Sequence, residues 1–248
     1  EFTYYSLGSF LAQIPLMLTM PIVIAILPQM TKLVSQFKTD ELKKLYHTYS
    51  FLISTIACSV GAVLLIYTNE LVLLWVRDKE IMHNVNIVAK TLLIGGVFLT
   101  FQFMPFYLSI ANGHNSTNVK LGIISLIFVI PAVSFFISKY GVNGAGIPWG
   151  IMNFLAFIYL GIRLNNKFLK GDTLSWFVYD ITIPLTVSFT ICFLIKSMFI
   201  NSTSLPLLIT KVFLSGLLSF VSSIILYNAV FVKYKINIVQ YIKDWRSK

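Results

Sequence analysis

The residues of this chain that most often carry out chemistry are few and scattered. His47, His83 and His114 lie in predicted loops and have no metal-ligand spacing with cysteines or acids. Cys58 and Cys192 lie inside long apolar runs, where a thiol behaves as a small hydrophobe. Neither a Gly-x-Ser-x-Gly motif nor a phosphate-binding glycine loop occurs. The sequence therefore predicts no catalytic residue, no metal site and no cofactor, and we expect a protein that is not an enzyme.

A second group of candidates consists of polar side chains within long apolar stretches. They are Gln13, Thr19, Gln102 and Asn153. Inside a membrane such residues either line an aqueous cavity or form hydrogen bonds to a neighbouring helix. Both readings stay open, and all four are candidates for lining a substrate cavity.

Charged side chains near the apolar stretches offer two further hypotheses. Lys196 and Lys211 flank the short loop between the last two stretches and either contact an anionic headgroup or extend to the membrane surface without a partner. Asp180 is the acid closest to a stretch, and no Asp or Glu is expected in mid-membrane. Because an acid within the membrane usually marks a proton or sodium relay, this argues against cation coupling.

The composition defines the class of protein that must position these residues. Hydrophobic residues make up 57% of the 248 residues and charged residues only 11%. A soluble domain has about 25% charged residues, so this chain has too few charges to cover a water-facing surface. Intrinsic disorder needs low hydrophobicity and high charge, and is excluded. We therefore predict an all-α integral membrane protein.

Seven apolar stretches are long enough to cross a bilayer, which takes about 20 residues each. Their continuous apolar character excludes a β-barrel, whose strands alternate apolar and polar residues. Helices then satisfy every backbone group internally. The predicted transmembrane helices are Tyr5–Met30, Thr48–Tyr67, Ile87–Ala111, Lys120–Ser138, Gly144–Leu164, Phe177–Phe199 and Leu205–Val232.

The distribution of Lys and Arg predicts the orientation. The net charge is +10, and the two largest basic clusters, 32–44 and 233–248, fall on the same side of the predicted membrane. The positive-inside rule then places the N-terminus outside and the C-terminus, with a basic tail over 233–248, in the cytoplasm. Within the cytoplasmic loops, Lys38–Tyr46 is predicted to be a short amphipathic helix whose face of Leu42, Leu45 and Tyr46 lies on lipid headgroups, or else a solvated connector.

Three local patterns occur in a characteristic order. The first stretch ends Leu27-Pro28-Gln29-Met30-Thr31-Lys32-Leu33 and precedes the basic segment. The third ends Ala111-Asn112-Gly113-His114 and leads directly into the fourth. The fifth begins Gly141-Val142-Asn143-Gly144-Ala145 and ends near Arg163. From about Tyr4 to Val232 this order resembles the C-terminal lobe of bacterial polysaccharide flippases, which belong to the multidrug/oligosaccharidyl-lipid/polysaccharide exporter superfamily.

The resemblance implies one lobe plus a terminal helix pair of a two-lobe transporter. An N-terminal lobe is then expected to be missing from this sequence, which does not begin with Met. The implied substrate is an O-antigen or capsule repeat unit on polyprenyl diphosphate, moved across the bacterial inner membrane by alternating access. The implied partners are this lipid-linked oligosaccharide, the bilayer, the other lobe and polysaccharide polymerase machinery, but no nucleic acid. By position, Gln13 and Thr19 are the family-consistent cavity residues.

Other functions are weighed against this one. Lipid II flippases, which are close relatives, tend to carry an arginine early in the helix that matches the first stretch, whereas Ser9 stands there in this chain. Lipid II is therefore a doubtful substrate. A multidrug or metabolite antiporter of the same superfamily would share the fold, and an intramembrane acid would distinguish it. A seven-helix receptor would be expected to carry Asp-Arg-Tyr and Asn-Pro-x-x-Tyr motifs, and this sequence has neither. A membrane glycosyltransferase would need a substantial polar loop, and the predicted helices leave no such loop between them.

Overall fold

The computed structural model describes residues 2–198 and 205–230, and this part of the chain is almost entirely helical and contains no strand. The helices are α1 Phe2–Ser35, α2 Thr39–Ile66, α3 Thr68–Val76, α4 Lys79–Ala111, α5 Ser116–Tyr140, α6 Gly146–Phe168, α7 Thr173–Ser175, α8 Ile183–Met198 and α9 Leu205–Val230. A 3₁₀ turn over Gly141–Gly144 precedes α6, and a π-helical segment over Trp176–Thr182 joins α7 to α8.

Seven helical segments in the described residues are long and apolar enough to cross a membrane. This confirms the prediction of an all-α chain with seven such helices and indicates a multi-pass membrane protein. The seven segments are Tyr5–Ser35, Thr39–Ile66, Val85–Ala111, Ser116–Gly144, Gly146–Phe168, Thr173–Met198 and Pro206–Val230. The predicted basic tail over 233–248 lies outside the described residues.

The ends of the helices follow from local sequence. At the end of α4, the amide of Gly113 donates to the carbonyl of Ile110 and that of His114 to the carbonyl of Ser109. Gly113 has a φ of 66°. This is a Schellman motif, which requires a left-handed residue that glycine adopts without a steric penalty. It turns the chain from α4 into α5 within four residues.

Helix α4 lies at the centre of the fold, where it packs against α1 on one side and α6 on the other. Two adjacent glycines permit this. A Cβ at Gly96 would lie 2.6 Å from the carbonyl oxygen of Ala12 on α1, and a Cβ at Gly95 would lie 2.3 Å from Trp149 on α6. Small residues let membrane helices approach closely and gain van der Waals contact. Helix α2 packs against α1 and α4 and also against α8 and α9, so it joins these two groups of helices.

The predicted surface helix over Lys38–Tyr46 is wrong. From Thr39 onward these residues form the first turns of α2, which continues unbroken to Ile66. Leu42, Leu45 and Tyr46 are buried within the protein and join its largest apolar cluster, so this face does not lie on lipid headgroups. The basic residues made the start of a long helix resemble a surface segment, although Lys43 is only partly exposed and pairs with Asp172 inside the protein.

Candidate functional site: a buried polar cluster

The four polar residues predicted to line a cavity lie in different surroundings. Gln13 is exposed on the surface of α1. Thr19 is fully buried, and its hydroxyl donates to the carbonyl of Pro15, one turn earlier in the same helix, at 2.7 Å. Gln102 on α4 and Asn153 on α6 are brought together. The structure therefore joins two of the four candidates.

Gln102 and Asn153 join α4 to α6. The side-chain amide of Gln102 donates to both the side-chain and the backbone oxygen of Asn153, each at 3.1 Å. Asn153 in turn donates to the carbonyl of Trp149 at 2.9 Å. Both side chains also border a groove of about 470 Å³ between α4, α5 and α6, which is otherwise lined mostly by apolar side chains such as Phe103 and Met152. The pair therefore bonds two helices and borders a groove at the same time.

The two predicted headgroup lysines are both placed within the fold. Lys196 Nζ lies 2.7 Å from Glu70 Oε1 and also donates to the carbonyl of Ile66. Its ammonium group lies 5.2 Å from the centre of the Tyr67 ring, a cation–π contact. Lys196 thereby ties α8 to the junction of α2 and α3. Lys211, in the first turns of α9, is buried with 7% of its surface exposed.

Sequence reasoning missed a cluster of charged and polar side chains between α2, the π-helical segment and α9. At its centre, His47 Nδ1 lies 2.7 Å from Asp180 Oδ2, and both side chains are completely buried. The hydroxyl of Tyr227 on α9 donates to Asp180 Oδ1 at 3.3 Å. His47 was predicted to lie in a loop, whereas it lies inside α2. Asp180 lies near the start of the sixth candidate membrane span, where the predicted bounds Phe177–Phe199 also place it, but its contact with His47 was not predicted.

A second ion pair lies one helical turn before His47 along α2. Lys43 Nζ lies 2.8 Å from Asp172 Oδ2 and donates to the carbonyl of Lys170 at 3.1 Å. The Lys43 side chain is 18% exposed and that of Asp172 only 5%. Lys43 and His47 share one face of α2, because residues four apart lie above one another on a helix. The two ion pairs therefore form a short column from the partly exposed end of α2 into the protein.

Aromatic side chains enclose the cluster. The indole of Trp176 donates to Ser50 Oγ at 2.9 Å, and the hydroxyl of Tyr46 donates to Asn165 Oδ1 at 2.7 Å. The ring of Tyr46 meets the imidazole of His47 edge to face, with centroids 5.9 Å apart. All three rings, those of Trp176, Tyr46 and His47, are fully buried. The hydrogen bonds of Trp176 and Tyr46 therefore avoid the cost of leaving their polar groups unpaired in an apolar interior.

The π-helical segment positions two members of this cluster. Trp176 and Asp180 both belong to Trp176–Thr182, and both face the interior. The Thr182 hydroxyl donates to the carbonyl of Phe177, five residues earlier. Short π-helical segments inside α-helices occur frequently at functional sites. The wider turn changes which residues share a face, which is why α-helical spacing in the sequence does not reveal that Asp180 points at His47.

A seam of serines extends the polar contact between α8 and α9. Ser215, Ser219 and Ser223 recur every four residues on α9 and are fully buried. Ser219 donates to the carbonyl of Ser188 on α8 at 3.4 Å, and Ser215 lies 3.0 Å from the hydroxyl of Tyr67. This four-residue repeat is the one sequence signal that predicts a buried polar face on α9.

The fold and these contacts define the class of the molecule as a helical, multi-pass membrane protein with a polar cluster buried between its helices. Comparison of the chain with known protein families, with curated proteins and with solved structures found no match. In the described residues, no group of three or more His, Cys, Asp or Glu side chains is arranged to hold a metal ion.

Proposed function

We propose that this chain is part of a flippase that moves an oligosaccharide linked to polyprenyl diphosphate across the bacterial inner membrane. The substrate class is an O-antigen or capsule repeat unit. The protein makes no covalent change to it and works by alternating access, in which a central site faces first one side of the membrane and then the other. In this proposal a second lobe completes the central cavity.

The observation that carries the proposal is the order of the three motifs along a chain of seven membrane-length helices. The Leu27–Leu33 motif lies in the last turns of α1, directly before α2. The Asn112-Gly113 pair forms the turn from α4 into α5. The Gly141–Gly144 turn leads into α6. Each motif thus marks the end or the entry of a helix, as the resemblance implies.

The proposed orientation has the N-terminus outside and the C-terminus in the cytoplasm, following the excess of basic residues over 32–44 and 233–248. Gln13, with its exposed amide, and the groove beside Gln102 and Asn153 are the proposed contacts for sugar hydroxyl groups. Lys196 remains a proposed contact for an anionic headgroup, although in this structure it pairs with Glu70.

Complementation in cells tests this function. The complete coding sequence that contains the chain is expressed in a bacterium whose own repeat-unit flippase has been deleted, and surface polysaccharide is measured. We expect restoration. The matched control is Gly96→Leu, in which the added side chain meets the Ala12 carbonyl and separates α1 from α4. Correctly inserted protein that restores no polysaccharide in any tested repeat-unit background contradicts the proposal.

The second candidate is a multidrug or metabolite antiporter of the same superfamily. It is favoured by one observation: Asp180 is a buried acid inside a candidate membrane span. Acids in such positions often belong to proton relays. Export of a small organic cation from inverted vesicles, driven by a proton gradient and abolished in Asp180→Asn, would support this candidate over the flippase.

A further inference from the structure

The charges of the buried column balance only when the central pair carries a proton. Lys43 contributes one positive charge, and Asp172 and Asp180 contribute two negative charges when ionised. A neutral His47 leaves this set with one net negative charge, enclosed among aromatic rings. A protonated His47 makes the set neutral. An uncompensated buried charge is strongly unfavourable in a protein interior and more so within a membrane.

We propose that His47 and Asp180 form a proton-binding site whose occupancy controls how firmly α9 and the π-helical segment are held against α2. The bound proton comes from water and completes an imidazolium–carboxylate pair through His47 Nδ1 and Asp180 Oδ2. Release of the proton to water returns a neutral imidazole beside a carboxylate. No other bond forms or breaks.

The site is built so that its charge state affects three elements at once. His47 belongs to α2, Asp180 to the π-helical segment and Tyr227 to α9. Each carboxyl oxygen of Asp180 meets one of the other two residues: Oδ2 lies beside His47 Nδ1, and Oδ1 accepts from the Tyr227 hydroxyl. When the pair loses its proton, the enclosed negative charge gains most by reaching water. Separation of α9 or the π-helical segment from α2 would expose this charge to water, so deprotonation should loosen this junction.

A route for the proton is provided by the ion pair at the end of α2. Lys43 is the most exposed member of the column, at 18%, and lies one turn from His47. Movement of Lys43 away from Asp172 would open the column toward the surface. Other titratable groups also face the pair and influence it. They are Lys43 and Tyr46 on α2, Asp172 before α7 and Tyr227 on α9. Two more tyrosines lie nearby: Tyr179 packs with Phe51 and Tyr227, and Tyr49 packs against the main apolar cluster.

The protonation state is measured directly by NMR of the full chain in lipid nanodiscs, labelled with ¹⁵N at histidine. His47→Gln assigns the His47 signal, and His114 serves as a reference histidine in a loop. We expect both ring nitrogens of His47 to carry protons near neutral pH in the unchanged protein. In Asp180→Asn, the ring should be neutral at the same pH. A neutral His47 throughout the range of about pH 5 to 8, where histidine ordinarily titrates, overturns the proposal.

Tyr227→Phe gives a second test that keeps the pair intact. Removal of the hydroxyl takes one hydrogen bond from the Asp180 carboxylate, which makes the carboxylate a stronger partner for the imidazolium. The pH midpoint at which the pair releases its proton should therefore rise. The phenylalanine ring still stacks on Phe51, whose ring centre lies 3.8 Å away, so the fold is retained. An unchanged or lowered midpoint contradicts the proposed site.

The proposed loosening of the junction on proton release is tested by measuring the distance between α2 and α9. Spin labels are placed at Lys44→Cys and Leu226→Cys, both on exposed positions, while the native Cys58 and Cys192 are buried. We expect a longer and broader distance distribution above the pH at which the pair releases its proton than below it. Asp180→Asn should keep the short distance at every pH, because no charge remains to expel. A distance that does not depend on pH in the unchanged protein overturns this part.

Only the use of this site to couple protons to transport depends on the proposed function. The NMR and spin-label measurements need no substrate, so their failure removes the proton site and leaves the flippase proposal standing. Conversely, a pH-dependent junction in a protein that fails complementation keeps the proton site and removes the proposed substrate. If both hold, Asp180→Asn should insert normally but lose transport, whereas His114→Gln should transport normally.

Discussion

Gln102 donates to two oxygens of Asn153, and this places a polar clamp between α4 and α6 at the edge of an apolar groove. The clamp explains how two amide residues are tolerated in apolar spans. Each amide finds a partner within the protein, so neither is left unsatisfied in the membrane. The sequence left open whether these residues line a cavity or form hydrogen bonds to a neighbouring helix. In the structure, Gln102 and Asn153 each do both.

Gln102→Leu should destabilise the protein modestly. The substitution removes the bonds to Asn153 but leaves an apolar side chain of suitable size in a mostly apolar groove. Interhelical hydrogen bonds in membrane proteins contribute about 0.6 kcal/mol on average and at most about 1.7 kcal/mol. We expect a loss within this range in the free energy of unfolding, measured by SDS titration. Gln13→Leu, at an exposed position, is the matched control and should leave it unchanged. A loss in the control as large as in Gln102→Leu contradicts the clamp.

Substitution of glycine by alanine should have opposite effects on stability at Gly96 and Gly122, because only Gly96 lies where α1 closely approaches α4. Gly96→Ala places a methyl group 2.6 Å from the Ala12 carbonyl oxygen, and backbone must move to admit it. Overpacking of this kind costs about 1–3 kcal/mol. Gly122→Ala on α5 meets nothing within 4 Å. It should be neutral or stabilising by up to about 1 kcal/mol, since alanine favours helices over glycine. Thermal midpoints in detergent provide the comparison, and equal midpoints would show that α1 and α4 are not in contact there.

Tyr67 predicts a loss of stability in alkaline solution. It lies at the junction of α2 and α3, and burial raises the pKa of its phenol above the usual value of 10.0, with the hydrogen bond to Ser215 acting in the opposite direction. Because the folded protein holds this proton more tightly than the unfolded chain does, Tyr67 contributes stability that is fully present below about pH 10 and is lost as the pH rises further. The thermal midpoint of the unchanged protein should therefore fall more steeply above about pH 10 than that of Tyr67→Phe. Lysines titrate in both proteins, so only the difference between the two curves counts, and parallel curves contradict the assignment.

Lys196 allows a structural role to be separated from a functional one. It pairs with Glu70 at 2.7 Å, and both side chains are about one-third exposed, at 38% and 33%. Exposed ion pairs contribute about 0–1 kcal/mol, so Glu70→Gln and Lys196→Met should each change stability little. If Lys196 also contacts an anionic headgroup, Lys196→Met should reduce complementation while Glu70→Gln preserves it. Equal complementation by both variants at equal expression would assign Lys196 to the ion pair alone.

The features that could be predicted from the sequence are those that depend on long runs of one residue type. Seven helices follow from apolar stretches of membrane length, and the turn at Asn112-Gly113 follows from a glycine at a helix end. The buried cluster could not be predicted in the same way. His47 lies close to a basic segment that resembles a loop, and Asp180 is aimed by a π-helical turn that α-helical periodicity does not describe. Lys43, His47, Ser50 and Ser54 do share one face of α2, and this polar stripe was the signal available.

The packing of Trp176 against Gly161 of α6 predicts that substitutions at these two residues are energetically coupled. A Cβ at Gly161 would lie 2.5 Å from Cζ3 of the Trp176 ring, so the indole occupies the space that the glycine leaves. Gly161→Ala should therefore displace the ring and weaken its hydrogen bond to Ser50. Trp176→Phe loses that hydrogen bond, worth about 0.5–1.5 kcal/mol, together with some packing. It also removes the ring atoms that the new methyl group would meet.

The variant with both Gly161→Ala and Trp176→Phe should lose less stability than the two single variants lose in sum, because Gly161→Ala costs less once the larger ring is gone. The recovery is incomplete, since Phe177 Cζ would still lie 2.9 Å from the new Cβ. A double-mutant cycle on thermal midpoints measures this coupling, with Gly122→Ala replacing Gly161→Ala as the control cycle. Additive losses in the first cycle would mean that Trp176 does not pack on Gly161, and the placement of the π-helical segment against α6 would then be wrong.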